Sequence, residues 1–124
     1  MADVRVLIVD DQEPFRRAIA AVVSETDGFV VVASSSSGED ALLAVIRLRP
    51  RLVLMDVNLP GIDGIEATRL ITRYADPPVV VLLSTYDREE FDIAGCGAAS
   101  YLAKATFGPD LLVSAWDRRH QVEL

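Results

Sequence analysis

The chain has 124 residues, of which 51% are apolar and 25% charged, enough for one domain with a buried core. Nineteen acidic against twelve basic side chains give a net charge of -7, a poor electrostatic match to a nucleic-acid backbone, so direct DNA binding by this domain is not expected. No apolar run approaches the ~18 residues of a membrane span, the amino terminus enters a strand without a signal-peptide pattern, and the single Cys96 cannot form an internal disulfide; together these point to the cytoplasm.

In chain order, Arg5 to Val9 (RVLIV) reads as a buried strand closed by Asp10 and Asp11. Pro14 suits a first helical turn, and Phe15, Ile19, Val22 and Val23 recur at helical spacing. After the Asp27-Gly28 turn, Phe29 to Ala33 form a second strand and Ser34 to Gly38 a solvated polar loop. Ser37 with Asp40 has the pattern of a helix start, and Ala41, Leu42, Val45 and Ile46 give the next apolar stripe, which stops before Pro50.

Leu52 to Asp56 is the third strand, an unbroken apolar run that ends abruptly in a carboxylate. Asn58, Pro60, Gly61 and Gly64 make the following loop tight, and Asp63 or Gly64 opens a helix carrying Ile65, Leu70 and Ile71. Val79 to Leu83 is a fourth buried strand delivering Ser84 and Thr85 to its end. A short helix is predicted from about Arg88, stopped by Gly95 and Gly97. Ser100 to Ala103 is a weak fifth strand ending at Lys104, and Gly108-Pro109 starts a last helix with Leu111, Leu112, Ala115 and Trp116 inward.

Strands alternating with helices predict a single α/β domain over residues 1–124, a doubly wound parallel sheet with helices on both faces and right-handed crossovers. All the polar strand ends, Asp10 and Asp11, Asp56, Ser84 and Thr85, and Lys104, then share the carboxyl edge, where open sheets of this kind bind ligands. Two neighbouring carboxylates at about 5 Å repel by ~3 kcal/mol at an effective dielectric near 20, so the corner calls for a cation. Magnesium, or manganese in its place, suits this corner, with Asp11 and Asp56 as direct oxygen ligands, Asp10 acting through water and the backbone carbonyl of Asn58 as a further oxygen. With that charge neutralised, Asp56 could act as a nucleophile toward a phosphoryl group. Ser84 and Lys104 could sense the product through a hydroxyl and a point charge, with Tyr101 repacking in response.

The motifs VDD at 9–11, MDVNLPGIDGIEA at 55–67, LLSTYD at 82–87 and SYLAK at 100–104 closely resemble the receiver domains of bacterial two-component response regulators. The wording is closest to receivers that precede a LuxR/NarL-type helix-turn-helix. The resemblance implies a CheY-like, flavodoxin-like fold with strand order 2-1-3-4-5. It also implies Asp56 as phosphoacceptor, Asp10 and Asp11 as magnesium ligands, Ser84 and Tyr101 as switch residues and Lys104 as the lysine of the site. A sensor histidine kinase is the implied phosphodonor, and a transcriptional effector domain outside this chain the implied output. Dimerisation fits the class, although no stripe in the sequence marks an interface.

Two positions depart from the family pattern: Ala105 stands where many receivers carry proline, and the segment between Ser84 and Lys104 is about half a helical turn short. Because that segment commonly forms the output face, a receiver that acts by protein contacts without phosphorylation is one alternative. A metal-dependent phosphohydrolase is another, but it lacks a proton donor at Asn58. A flavodoxin-like nucleotide binder is disfavoured by the acidic first loop Asp10-Asp11-Gln12-Glu13. Asp63, Asp87 and Glu13 read as cap or surface residues, His120 as exposed, Cys96 as partly buried and Trp116 as core packing.

Overall fold

The computed structural model describes residues 3–85 and 95–119. Five parallel strands, β1 (Val4–Val9), β2 (Phe29–Ser35), β3 (Leu52–Asp56), β4 (Val79–Ser84) and β5 (Ser100–Ala103), form one sheet in the order β2-β1-β3-β4-β5. The described helices are α1 (Glu13–Ser24), α2 (Gly38–Leu48), α3 (Gly64–Ile71) and α4 (Pro109–Asp117), with a 3-10 turn at Lys104–Thr106. The short helix predicted from Arg88, Asp87 and His120 lie outside the described residues.

The sheet has two buried faces, which is why its central strands carry no polar break. Along β1 and β3 alternate residues go to opposite layers: Leu7, Val9, Val53 and Met55 pack with α2 and α3, whereas Val6, Ile8, Leu52 and Leu54 pack with α1 and α4. Leu82 and Leu83 of β4 divide in the same way. Each layer closes around its own cluster, with Val45, Ile65 and Ile71 on one side and Ile19, Val23 and Leu112 on the other.

Helix starts follow local chemistry. The Ser37 hydroxyl accepts the Asp40 N–H at 3.1 Å, and the Asp63 carboxylate accepts the Glu66 N–H at 2.8 Å, as the sequence predicts for both. Gly108 precedes Pro109 at the start of α4. Glu13 lies on the surface and pairs with Arg17 one turn on. Trp116 is partly buried against the α1–α4 layer, edge-on to Phe29, while Cys96 is more deeply buried than predicted, with 2% of its surface exposed.

Two expectations are corrected. Ser34 and Ser35 belong to β2 and not to a solvated loop, because β1 pairs with them: Ile8 lies opposite Ser34 and Val9 opposite Ser35. Register shifts between Val6 and Leu7, whose partners are Val31 and Ala33, so Val32 is an extra residue in the strand. Ile46 does not join the buried stripe and is 59% exposed. At 100° per residue it projects about 140° away from Ala41, whereas Val45 returns to within about 40° and is buried.

Gly64 marks the closest backbone approach near the carboxyl edge. A Cβ there would sit 2.0 Å from the Asp56 carbonyl oxygen, a backbone atom that cannot swing away. Gly64→Ala should therefore cost about 3 kcal/mol or more in urea denaturation, through displacement of α3 from the end of β3.

Candidate functional site

Strand register builds the site. Val9 of β1 pairs with Met55 of β3, so the residues that follow, Asp10 and Asp56, emerge side by side from adjacent strands. Ser84 pairs with Ala103, which brings Lys104 to the same edge from β5. Asp10 and Asp56 are buried, with exposures of 0% and 4%, while Asp11 is exposed. Oxygens from all three carboxylates lie within 4.8 Å of one another.

The two buried carboxylates are held by the same local device. Oδ1 of Asp10 accepts the Gln12 N–H at 3.0 Å, and Oδ1 of Asp56 accepts the Asn58 N–H at 3.2 Å, each an Asx-type turn that ends the strand. The Arg16 guanidinium donates to the Asp10 carbonyl at 2.7 Å and ties the first loop to α1. The other oxygens face Lys104, whose Nζ is 2.6 Å from Asp10 Oδ2 and 3.3 Å from Asp56 Oδ2. The ammonium also lies 4.1 Å from the centroid of the Phe15 ring. Asp11, Gln12, Phe15, Asp56, Asn58, Thr85 and Lys104 line an open cleft over this corner.

Among the described residues the charges at the corner do not balance: Asp10 and Asp56 share the Lys104 ammonium, and Asp11 adds a third carboxylate beside them. Burial, offset in part by Lys104 and reinforced by Asp10, holds the Asp56 carboxyl above the usual carboxylate range. Asp10 Oδ2, although buried, has the Lys104 ammonium at 2.6 Å and, among the described residues, no donor besides it. A buried acceptor left in this state, beside two further carboxylates and an open cleft, fits a hard divalent cation that takes oxygen ligands and keeps some of its water.

Of the residues singled out in the sequence, Asp10, Asp11, Asp56 and Lys104 converge within this corner, and Asn58 lines its cleft through the loop after β3. Ser84 is fully buried at the end of β4, and among the described residues the hydroxyl side chain lining the cleft is that of its neighbour Thr85. Tyr101 is half-buried on β5 opposite Leu82 and packs on the α2–α3 side. The sequence reading missed Gln12, Arg16 and the contact between Phe15 and Lys104. The position of Gln12 two residues after Asp10 was a usable signal for the turn, whereas the Phe15 contact spans elements far apart in the chain.

An acidic pocket at the carboxyl edge of a 2-1-3-4-5 sheet, with a lysine reaching into it, defines a receiver-type signalling domain. The family model for the response regulator receiver domain matches residues 6–117, and the chain belongs to that family. It is 41% identical over 103 residues to the response regulator GacA of Pseudomonas protegens, covering 82% of this chain and 48% of the relative. Against the transcriptional regulatory protein DegU of Brevibacillus brevis the identity is 37% over 115 residues, covering 90% of this chain and 48% of the relative. A two-component response regulator of the LuxR family from Aurantimonas sp. superposes with a TM-score of 0.83 at 28% identity, covering 94% of this chain and 84% of that one. The chain spans about half the length of the curated relatives it matches. Among the described residues no helix is long and apolar enough to cross a membrane.

The raised Asp56 carboxyl has a consequence for stability. The folded state binds its proton more tightly than the unfolded chain does, so ionisation destabilises the fold as pH rises through the carboxylate range. The cost is absent below the unfolded-state value and complete above the folded-state value. Asp56→Asn, which keeps an acceptor for the Asn58 N–H, should raise Tm at neutral pH in EDTA. Its advantage should shrink toward zero as the pH is lowered below the carboxylate range.

Proposed function

We propose that this chain is the phospho-accepting receiver of a two-component response regulator, with Asp56 as the acceptor. The observation that carries the reading is the meeting of Asp10, Asp56 and Lys104 at one edge, with Asp56 lining an open cleft. An Asp56 carboxylate oxygen attacks the phosphorus of a phosphohistidine on a sensor histidine kinase. The P–N bond breaks, its electron pair leaves with the imidazole nitrogen, which takes up a proton, and an acyl phosphate remains on Asp56. Asp10, Asp11 and Asp56, with the Asn58 backbone carbonyl, would hold magnesium or manganese. When bound, that ion offsets the charge of the carboxylates and of the incoming phosphoryl oxygens.

The protein's own part is positioning and charge. The Asx turns at Asp10 and Asp56 direct one oxygen of each carboxylate into the corner. Lys104, already at the corner, exchanges carboxylate oxygens for oxygens of the new group, whose charge of about -2 is the stronger partner. Ser84 at the end of β4 and Tyr101 on β5 respond to that pull, and the change spreads along the two strands toward a partner surface. The only chemistry is formation and loss of this acyl phosphate on the chain itself. The output is transcription, through an effector domain outside this chain, in keeping with the transcriptional role named for DegU and with the greater length of the relatives. The site of action is the cytoplasm.

Incubation with Mg²⁺ and a small donor such as phosphoramidate should add one phosphoryl mass to the intact protein, and Asp56→Asn should abolish it. An unmodified wild-type mass would instead support a receiver that signals by contacts alone. Separately, Mg²⁺ at about 100 times its dissociation constant should stabilise the wild type by about 2.7 kcal/mol, with the effect lost in Asp10→Asn/Asp11→Asn.

A further inference from the structure

Lys104 is held from two sides. One side is the carboxylate pair of Asp10 and Asp56, and the other is the face of the Phe15 ring, 4.1 Å from the ammonium. Phe15 lies in the first turn of α1, where its N–H bonds back to the Gln12 carbonyl, and it lines the same cleft as Asp56 and Lys104. The first loop thus supplies Asp10, and the first turn of the helix after it supplies the ring.

An ammonium on a four-carbon stem has many rotamers, and one whose only partners are carboxylates is released when those carboxylates turn to another cation. A ring face attracts the ammonium through its quadrupole and does not compete for a metal. The Lys104 side chain is only 7% exposed, so this attraction acts in a largely dehydrated setting, where it is strongest.

We propose that Phe15 is a positioning residue for Lys104: its ring face holds the ammonium at the corner while Asp10 and Asp56 change partners, so that Lys104 is already in place for the phosphoryl oxygens. The inference rests on the proposed phosphorylation of Asp56, and it predicts that the rate of acceptance depends on the electron density of the ring and not only on its bulk. A purely structural Phe15 would serve equally well as any side chain of that size and shape.

The test replaces Phe15 by mono-, di- and trifluorophenylalanine, which keep the shape while weakening the negative ring face in steps, and by leucine. Acyl phosphate formation from Mg²⁺ and phosphoramidate should slow by about twofold with each fluorine and by about tenfold in Phe15→Leu, with Tm little changed, while Phe15→Trp should retain the wild-type rate. In the wild type, without donor or metal, the Lys104 ε-methylene protons should show an upfield ring-current shift by NMR that disappears in Phe15→Leu. Equal rates across the fluorinated series, or ε-proton shifts unchanged by Phe15→Leu, would overturn the proposal. If the wild type takes up no phosphoryl group, the phosphorylation reading fails, and the NMR comparison still decides whether the ring holds the lysine.

Discussion

One ammonium between two buried carboxylates is the constraint around which the carboxyl edge is arranged. Lys104 reaches Asp10 and Asp56 from a strand two places away from β3 in the sheet, so the contact spans β1, β3, β4 and β5. Buried charges of like sign cannot be left alone, and one lysine does not neutralise three acids. The fold therefore keeps at this edge an electrostatic imbalance that a cation relieves. A site of this kind responds to whatever enters it, because Asp10, Asp56 and Lys104 each have a partner they can exchange.

Precision at the corner comes from repetition of one small motif. Asp10 and Asp56 each end a strand, and each spends one oxygen on the N–H two residues later, which leaves the other oxygen directed inward. Adjacent strands in matched register then set the two carboxylates side by side. The rigid part lies behind them: the residues immediately preceding both carboxylates, Val9 and Met55, are completely buried. The part open to solvent lies in front, in the exposed loop residues Asp11 and Asn58. Chemistry at the rim of a stiff sheet follows from that division.

Much of this was legible in the sequence because two-sided burial leaves a plain trace. The uninterrupted runs ending at Val9, Asp56 and Leu83 are what strands covered on both faces require, and β3 and β5 have the predicted limits. Polar residues at the run ends then marked the carboxyl edge, and the acids and lysine expected there are found together. Failures occurred where local composition and tertiary pairing disagree. Ser34 and Ser35 look like loop but become strand because β1 supplies their partners. Ile46 looks like core but occupies a helix flank that no other described element covers. Contacts set by folding alone, such as Phe15 with Lys104 and Arg16 with the Asp10 carbonyl, leave no periodic signal at all.

The extra residue in β2 reaches further than its place on an outer strand suggests. Val32 has no partner in β1, and the offset it introduces is what sets Ser35 across from Val9 and lets the Ser35 carbonyl receive the Asp10 N–H at 3.0 Å. Were β2 to pair with β1 past Val6 without that offset, Val9 would meet Ser34 and the side chains of the last stretch of β2 would exchange faces. The Asp10 N–H would then face Ser34 in place of Ser35, so which serine backs the first carboxylate depends on a single supernumerary residue at the sheet's periphery.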